Sequence, residues 1–147
     1  MAALLFLVLA FAPLATPFVV AATALALVLR ARPRAGGSWR PLDTTSYVLV
    51  TVMSGAAALG AYAYGVMSGF YILDPDQMCA AAGARGDHVV TRMTLPVSAQ
   101  CVTSSGVGTE LVPGWVNPVV YTGLILFALA LGAAIATSVR RCTANSG

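Results

Sequence analysis

Lysine is absent from this chain, histidine occurs once, at His88, and there are five acids. Charged residues make up 9% of the sequence, where soluble domains carry about 25%. That shortage excludes an ordinary water-soluble domain. Three long apolar runs hold no Asp, Glu, Lys, Arg or His at all. Ion paths, proton relays and voltage sensors are marked by such residues within the membrane, so their absence speaks against a proton-coupled transporter. With one histidine and no free thiols at ligand spacing, a zinc site lacks its donors, and neither a metal nor a cofactor is expected. Ser98, Ser104 and Ser105 could supply a hydroxyl, but no nucleophile elbow or triad pattern surrounds them, and no catalytic residue is assigned.

What is present is apolar: 59% hydrophobic residues in 147, with a mean hydropathy of +0.84. The three runs cover about residues 3–29, 47–73 and 117–139, each long enough for a hydrocarbon core of about 30 Å. The fold expected is an all-α integral membrane protein with three transmembrane helices, a single membrane domain over residues 1–147. An extracytoplasmic loop at about 74–116 separates spans two and three. Pro13 and Pro17 stand four apart in the first span and predict a kink near Leu9 to Pro13. That run has no positive segment before it, unlike a cleaved signal. Asp43 suits the cap of span two, with Thr44 and Thr45 as rivals, and Asn117 followed by Pro118 suits the start of span three. Tyr47, Tyr71, Trp115 and Tyr121 fall near span ends, as interfacial aromatic belts do.

Six of the eight arginines flank the spans: Arg30, Arg32, Arg34 and Arg40 after the first, Arg140 and Arg141 after the third. The positive-inside rule places both clusters and the C-terminus in the cytoplasm, and the N-terminus and the long loop outside. Arginine without lysine, amid much alanine and glycine, fits a high-GC bacterial genome, and hence a bacterial inner membrane. The same flanking positions remove the case for nucleic-acid binding, which needs a basic stripe facing water.

Helices in lipid associate through small residues. In span two Thr51, Gly55, Ala58, Tyr62, Gly65 and Gly69 fall on one face, and Gly65 and Gly69 form a GxxxG. Span three offers Ala128, Gly132 and Ala136. Packing of spans two and three against each other is expected, and a seam for a second copy or another membrane protein is the alternative.

The loop holds Cys79 and Cys101 on the oxidising side, which predicts a disulfide. Closing about 23 residues would stabilise by roughly 3 kcal/mol. The run from His88 to Leu95 is β-prone and suggests a short strand or hairpin. Thr103 to Thr109 suggests an open loop, and Asp74-Pro75-Asp76 a turn ending span two. Asp74, Asp76, Asp87, His88, Arg92 and Trp115 are the candidate contact residues. Arg85-Gly86-Asp87 spells an adhesion tripeptide, a match too short to carry weight. Cys142 follows two arginines and is a plain thiol or a palmitoylation point.

The run Cys79 … Leu95-Pro96 … Cys101 … Leu111-Val112-Pro113-Gly114-Trp115-Val116-Asn117-Pro118 resembles small multi-span bacterial membrane proteins of unknown function. They place two cysteines in an extracytoplasmic loop before a final span. The resemblance covers the last half of the chain and implies no activity. The function expected is a non-enzymatic accessory, scaffolding or immunity-type subunit acting through helix and loop contacts, in the lipid bilayer and against another membrane protein or itself. The alternatives are an oligomeric pore or transporter component, and a membrane enzyme at the outer face.

Overall fold

A computed structural model describes residues 2–31, 43–68, 75–84, 86 and 88–145. Three long helices, α1 (Ala2–Ala31), α2 (Thr44–Met67) and α4 (Val116–Asn145), are each long and apolar enough to cross a membrane. Between α2 and α4 lies a small cap of one short helix, α3 (Pro75–Ala81), and three strands, β1 (His88–Arg92), β2 (Ser98–Val102) and β3 (Gly108–Glu110). The protein is thus of mostly helical build with three candidate membrane helices, and the short strand expected between His88 and Leu95 is present as β1, paired with β2 in a hairpin.

The helices form because lipid offers no partner for backbone N–H and C=O groups, so a spanning segment must satisfy them internally. Hydroxyls inside the spans follow the same rule. Thr23, Thr51, Ser54 and Ser68 donate to carbonyls one turn back, at 2.7–2.8 Å. α1 runs through both Pro13 and Pro17 as one helix of 30 residues, about 45 Å long. α1 is thus one continuous helix, not a re-entrant pair of short ones.

Asp43 caps α2 as expected. Its carboxylate accepts from the Ser46 N–H at 2.9 Å and the Ser46 hydroxyl at 2.6 Å. The same carboxylate meets Arg30 at 3.6 Å, tying the end of α1 to the start of α2. The Ser46 hydroxyl, then its N–H, and the Arg30 charge outweigh a small desolvation effect and hold the Asp43 carboxyl below its ordinary value. α2 is described to Met67. Its expected continuation to Leu73, with Gly69 and Tyr71, lies outside the described residues. α4 continues past the expected Val139 to Asn145, so Arg140, Arg141 and Cys142 belong to the helix.

α2 is the middle helix. α4 packs along one side of it and α1 along another, both antiparallel to it. Thr44 meets Thr137 at one end of the α2–α4 pair, and Gly65 meets Val116 at the other.

Pro75 opens α3 rather than completing a turn. Its fixed φ suits a first helical position, where the missing N–H costs nothing. The helix stops at Gly83, whose φ of +69° permits the left-handed closing residue. The Gly83 N–H returns to Ala80 and the Ala84 N–H to Cys79, at 3.0 and 2.8 Å, which is a Schellman ending. The sheet is antiparallel in the order β1-β2-β3, with Val89 opposite Cys101 and Cys101 opposite Thr109. β3 emerges from the stretch expected to be loop, because the tight turn from Thr103 to Val107, with Gly106 at φ +83°, returns the chain beside β2.

Candidate functional site

The disulfide joins Cys79 of α3 to Cys101 of β2, and both cysteines are fully buried. It pins the short helix onto the sheet, with Ala84, Val89 and Leu111 around it. Gly86 passes so close to the Cys101 main chain that an added Cβ would lie 2.9 Å from it. The glycine of the Arg85-Gly86-Asp87 tripeptide is therefore a packing residue; Arg85 and Asp87 lie outside the described residues.

The cap does not stand off from the helices. Val97, just before β2, and Ala99 and Cys101 within it alternate toward one side, all buried. Val97 and Ala99 join Ala61, Val112, Val116 and Val120 in one apolar cluster that crosses from cap to helices. Asn117 supplies the polar half of this joint. Its side-chain amide donates to the Val97 carbonyl, and its carbonyl accepts from the Val97 N–H, each at 2.9 Å. The side chain thus stands in for a missing neighbouring strand. This corrects the capping role expected for Asn117: α4 already begins at Val116, and the helix start is closed by the carbonyls of Pro113 and Trp115. Asn117 is the residue the sequence reading missed. An amide immediately past an apolar helix start was its only signal, and that signal equally fits a cap.

Further stitches surround the joint. The Tyr62 hydroxyl donates to the Met93 carbonyl at 3.0 Å. Tyr64 stacks on Trp115 with ring centroids 5.5 Å apart. Gly65 leaves room for two valines: a Cβ there would lie 2.9 Å from Val116 and 3.2 Å from Val97. Within the sheet, the Glu110 carboxylate gathers the Ser98 hydroxyl, the Ala99 N–H and the Gln100 amide at 2.8–3.0 Å. Partial burial pushes the Glu110 carboxyl up, but the Ala99 N–H, then Gln100, Ser98 and Val112, together outweigh it, so its pKa lies below the ordinary glutamate value.

The helix seam differs from the expected one on α4. α2 presents Gly55 to Phe127 and Ala58 to Gly123, where a Cβ on Gly123 would sit 2.9 Å from Ala58 and 3.0 Å from the Ser54 carbonyl. The residues of α4 that turn inward are Val116, Val120, Gly123, Phe127, Ala130 and Ala134. They alternate by four and three, the repeat of a left-handed helix pair. Ala128, Gly132 and Ala136 lie on the exposed face instead, and a Cβ on Gly132 would meet nothing within 4 Å. The physical reason is complementarity: Phe127 and Val116 of α4 fill the hollows at Gly55 and Gly65, and Gly123 makes room for Ala58. Thr51 turns back to its own helix, and Tyr62 serves the cap rather than the seam. On its other side α2 uses Gly60, where a Cβ would overlap the Thr16 side chain of α1.

Among the described candidate loop residues, His88 and Arg92 do not converge. His88 and Arg92 occupy opposite ends of β1, both exposed, about 13 Å apart at 3.3 Å per residue. Asp74 and Asp87 lie outside the described residues, and of Asp76 only the backbone, in α3, is described. Among the described residues no three of His, Cys, Asp or Glu gather as metal ligands. Two hollows stand out among the described residues. One, of about 470 Å³, lies on the cap against Gly83, Thr103, Ser105 and Thr109. The other, of about 260 Å³, is an apolar cleft over α2, lined by Pro13, Thr16 and Pro17 of α1, by Gly60 and Tyr64, and by Trp115 and Val119. Among the described residues that line them there is no acid, base or thiol.

Comparisons with protein-family models, with curated proteins and with solved structures find no match to this chain.

Proposed function

We propose that this chain is a non-enzymatic accessory or scaffolding subunit of a bacterial inner membrane, acting through contacts made by its outer helix face and its cap. One observation supports the reading most directly. The internal seam uses the Gly123 side of α4, so the second small-residue row, Ala128, Gly132 and Ala136, faces outward with open space at Gly132. Small residues let two backbones approach closely in lipid, where helix association depends on such packing. The row therefore suits another membrane helix, from a partner or a second copy.

Orientation follows from charge. The ends carrying Arg30 and Arg140–Arg141 lie together, opposite the cap. The positive-inside rule makes that end cytoplasmic and puts the disulfide outside, where it persists.

The test is purification from native membranes in mild detergent, with mass analysis of the intact complex, for the wild type and Gly132→Leu. A stoichiometric partner or a dimer, lost in Gly132→Leu while the melting temperature is unchanged, is the expected result. A lone monomeric wild-type chain would overturn the reading.

A further inference from the structure

The β1–β2 turn lies against α2, where the Tyr62 hydroxyl reaches Met93. Asp43 and Arg30 pair at one end of α2, and charged groups of that kind belong outside hydrocarbon. From Thr44 to Tyr62, α2 rises about 27 Å at 1.5 Å per residue. The Tyr62 hydroxyl reaches the Met93 carbonyl, and side chains on a helix lean toward its N-terminus, which is the Arg30–Asp43 end. Met93 therefore lies about this far from that plane, and a hydrocarbon core is about 30 Å thick. Helix tilt shortens the span further. The turn thus lies at the acyl–headgroup boundary on the cap side rather than above it.

The side chains there fit that level. Met93 and Leu95 are 53% and 40% exposed, although both are apolar and the cap has a core they could have joined. Arg92 precedes them and is exposed. Trp115, also exposed, stacks on Tyr64 only two residues beyond Tyr62, and Trp and Tyr favour this zone. The apolar sequence of the second span also continues past Met67 to Leu73 before the first charge, Asp74.

We propose that the β1–β2 turn is a membrane-inserted wedge: Met93 and Leu95 enter the acyl–headgroup boundary beside α2, and Arg92 engages phospholipid phosphate. The bilayer is the occupant of this surface because the Tyr62–Met93 hydrogen bond holds the turn against the apolar span α2, and because the guanidinium complements anionic headgroups.

The test uses the full chain with Cys142→Ser, reconstituted in vesicles of phosphatidylcholine and phosphatidylglycerol. A nitroxide is attached at Leu95→Cys or, as control at the opposite end of β2, Ser105→Cys, after mass analysis confirms the Cys79–Cys101 bridge. Leu95 is expected to collide several-fold more with oxygen than with a water-soluble nickel chelate, and Ser105 the reverse. Equal nickel access at both sites overturns the wedge. A photocrosslinker at Leu95, which adds no thiol, gives a second reading: crosslinks to lipid support the proposal, and crosslinks to a second copy of the chain overturn it. Adding Arg92→Gln should shift Leu95 toward the nickel reagent when phosphatidylglycerol is present, and no shift removes the phosphate contact.

Discussion

Asn117 shows how much one polar side chain does where apolar packing surrounds it. It satisfies both backbone groups of Val97, and Val97 is only 2% exposed. Removing one partner from a buried pair leaves the other unsatisfied, at about 1–3 kcal/mol for each group. Asn117→Leu is therefore expected to destabilise the protein by about 2 kcal/mol or more and to expose the Val97 amide, as hydrogen exchange in detergent would show; an unchanged Val97 exchange rate would refute the role. Glu110 makes a second, pH-dependent contribution. A carboxyl whose folded pKa is lowered stabilises the fold above its unfolded value, about 4.3 for glutamate. That contribution is lost as pH falls through the lower folded value. Melting curves between pH 6 and 3 should show the wild type losing this increment while Glu110→Gln, which lacks it at every pH, falls less on acidification. Neither role was legible in the sequence, since both depend on which backbone a side chain meets after the chain has folded.

The long helices were legible because lipid imposes a crude requirement: enough apolar length, no charge inside, charge at the ends. Asp43 was legible as a cap because capping is local, satisfied within three residues. The third strand was hidden in Thr103 to Thr109, because Gly108 to Glu110 becomes a strand only once a turn brings it beside β2. The α4 seam was hidden for a different reason. Small residues at four-residue spacing are common in an alanine-rich helix, and choosing among rows requires knowing that Phe127 and Val116 fill the hollows at Gly55 and Gly65. The two rows make opposite predictions. Gly123→Leu drives a side chain into Ala58 and the Ser54 carbonyl, and overpacking of this kind costs about 1–3 kcal/mol. Ala128→Leu, on the exposed face, should leave stability within about 0.5 kcal/mol. Thermal denaturation of both variants in detergent decides between the rows, and similar losses would mean that α4 is turned the other way.

Taken as a whole, the molecule joins a disulfide-closed cap to a membrane bundle through one shared core, and this sets its cooperativity. A loop merely tethered to helices would melt independently, because its own buried cluster is small. Here Val97 and Ala99 of the cap pack with Ala61, Val116 and Val120 of the helices, and Asn117, Tyr62 and Gly65 close the joint from both α4 and α2. Unfolding the cap alone would expose that cluster and strand the Asn117 amide, so cap and bundle should open together. Near-ultraviolet signals from the Tyr64–Trp115 stack and far-ultraviolet helix signals are expected to lose structure in one coincident transition in the wild type, the usual mark of two-state behaviour. Gly65→Leu fills the space occupied by Val97 and Val116 at the cap end of the α2–α4 pair, away from the Gly55–Phe127 and Ala58–Gly123 contacts. It should split the transition, with the cap melting first and the helices near their original temperature. Two separate transitions already present in the wild type would show that the cap is held by its disulfide and sheet alone. Coincident transitions in Gly65→Leu would show that the Val97–Val116 contact does not couple cap to bundle.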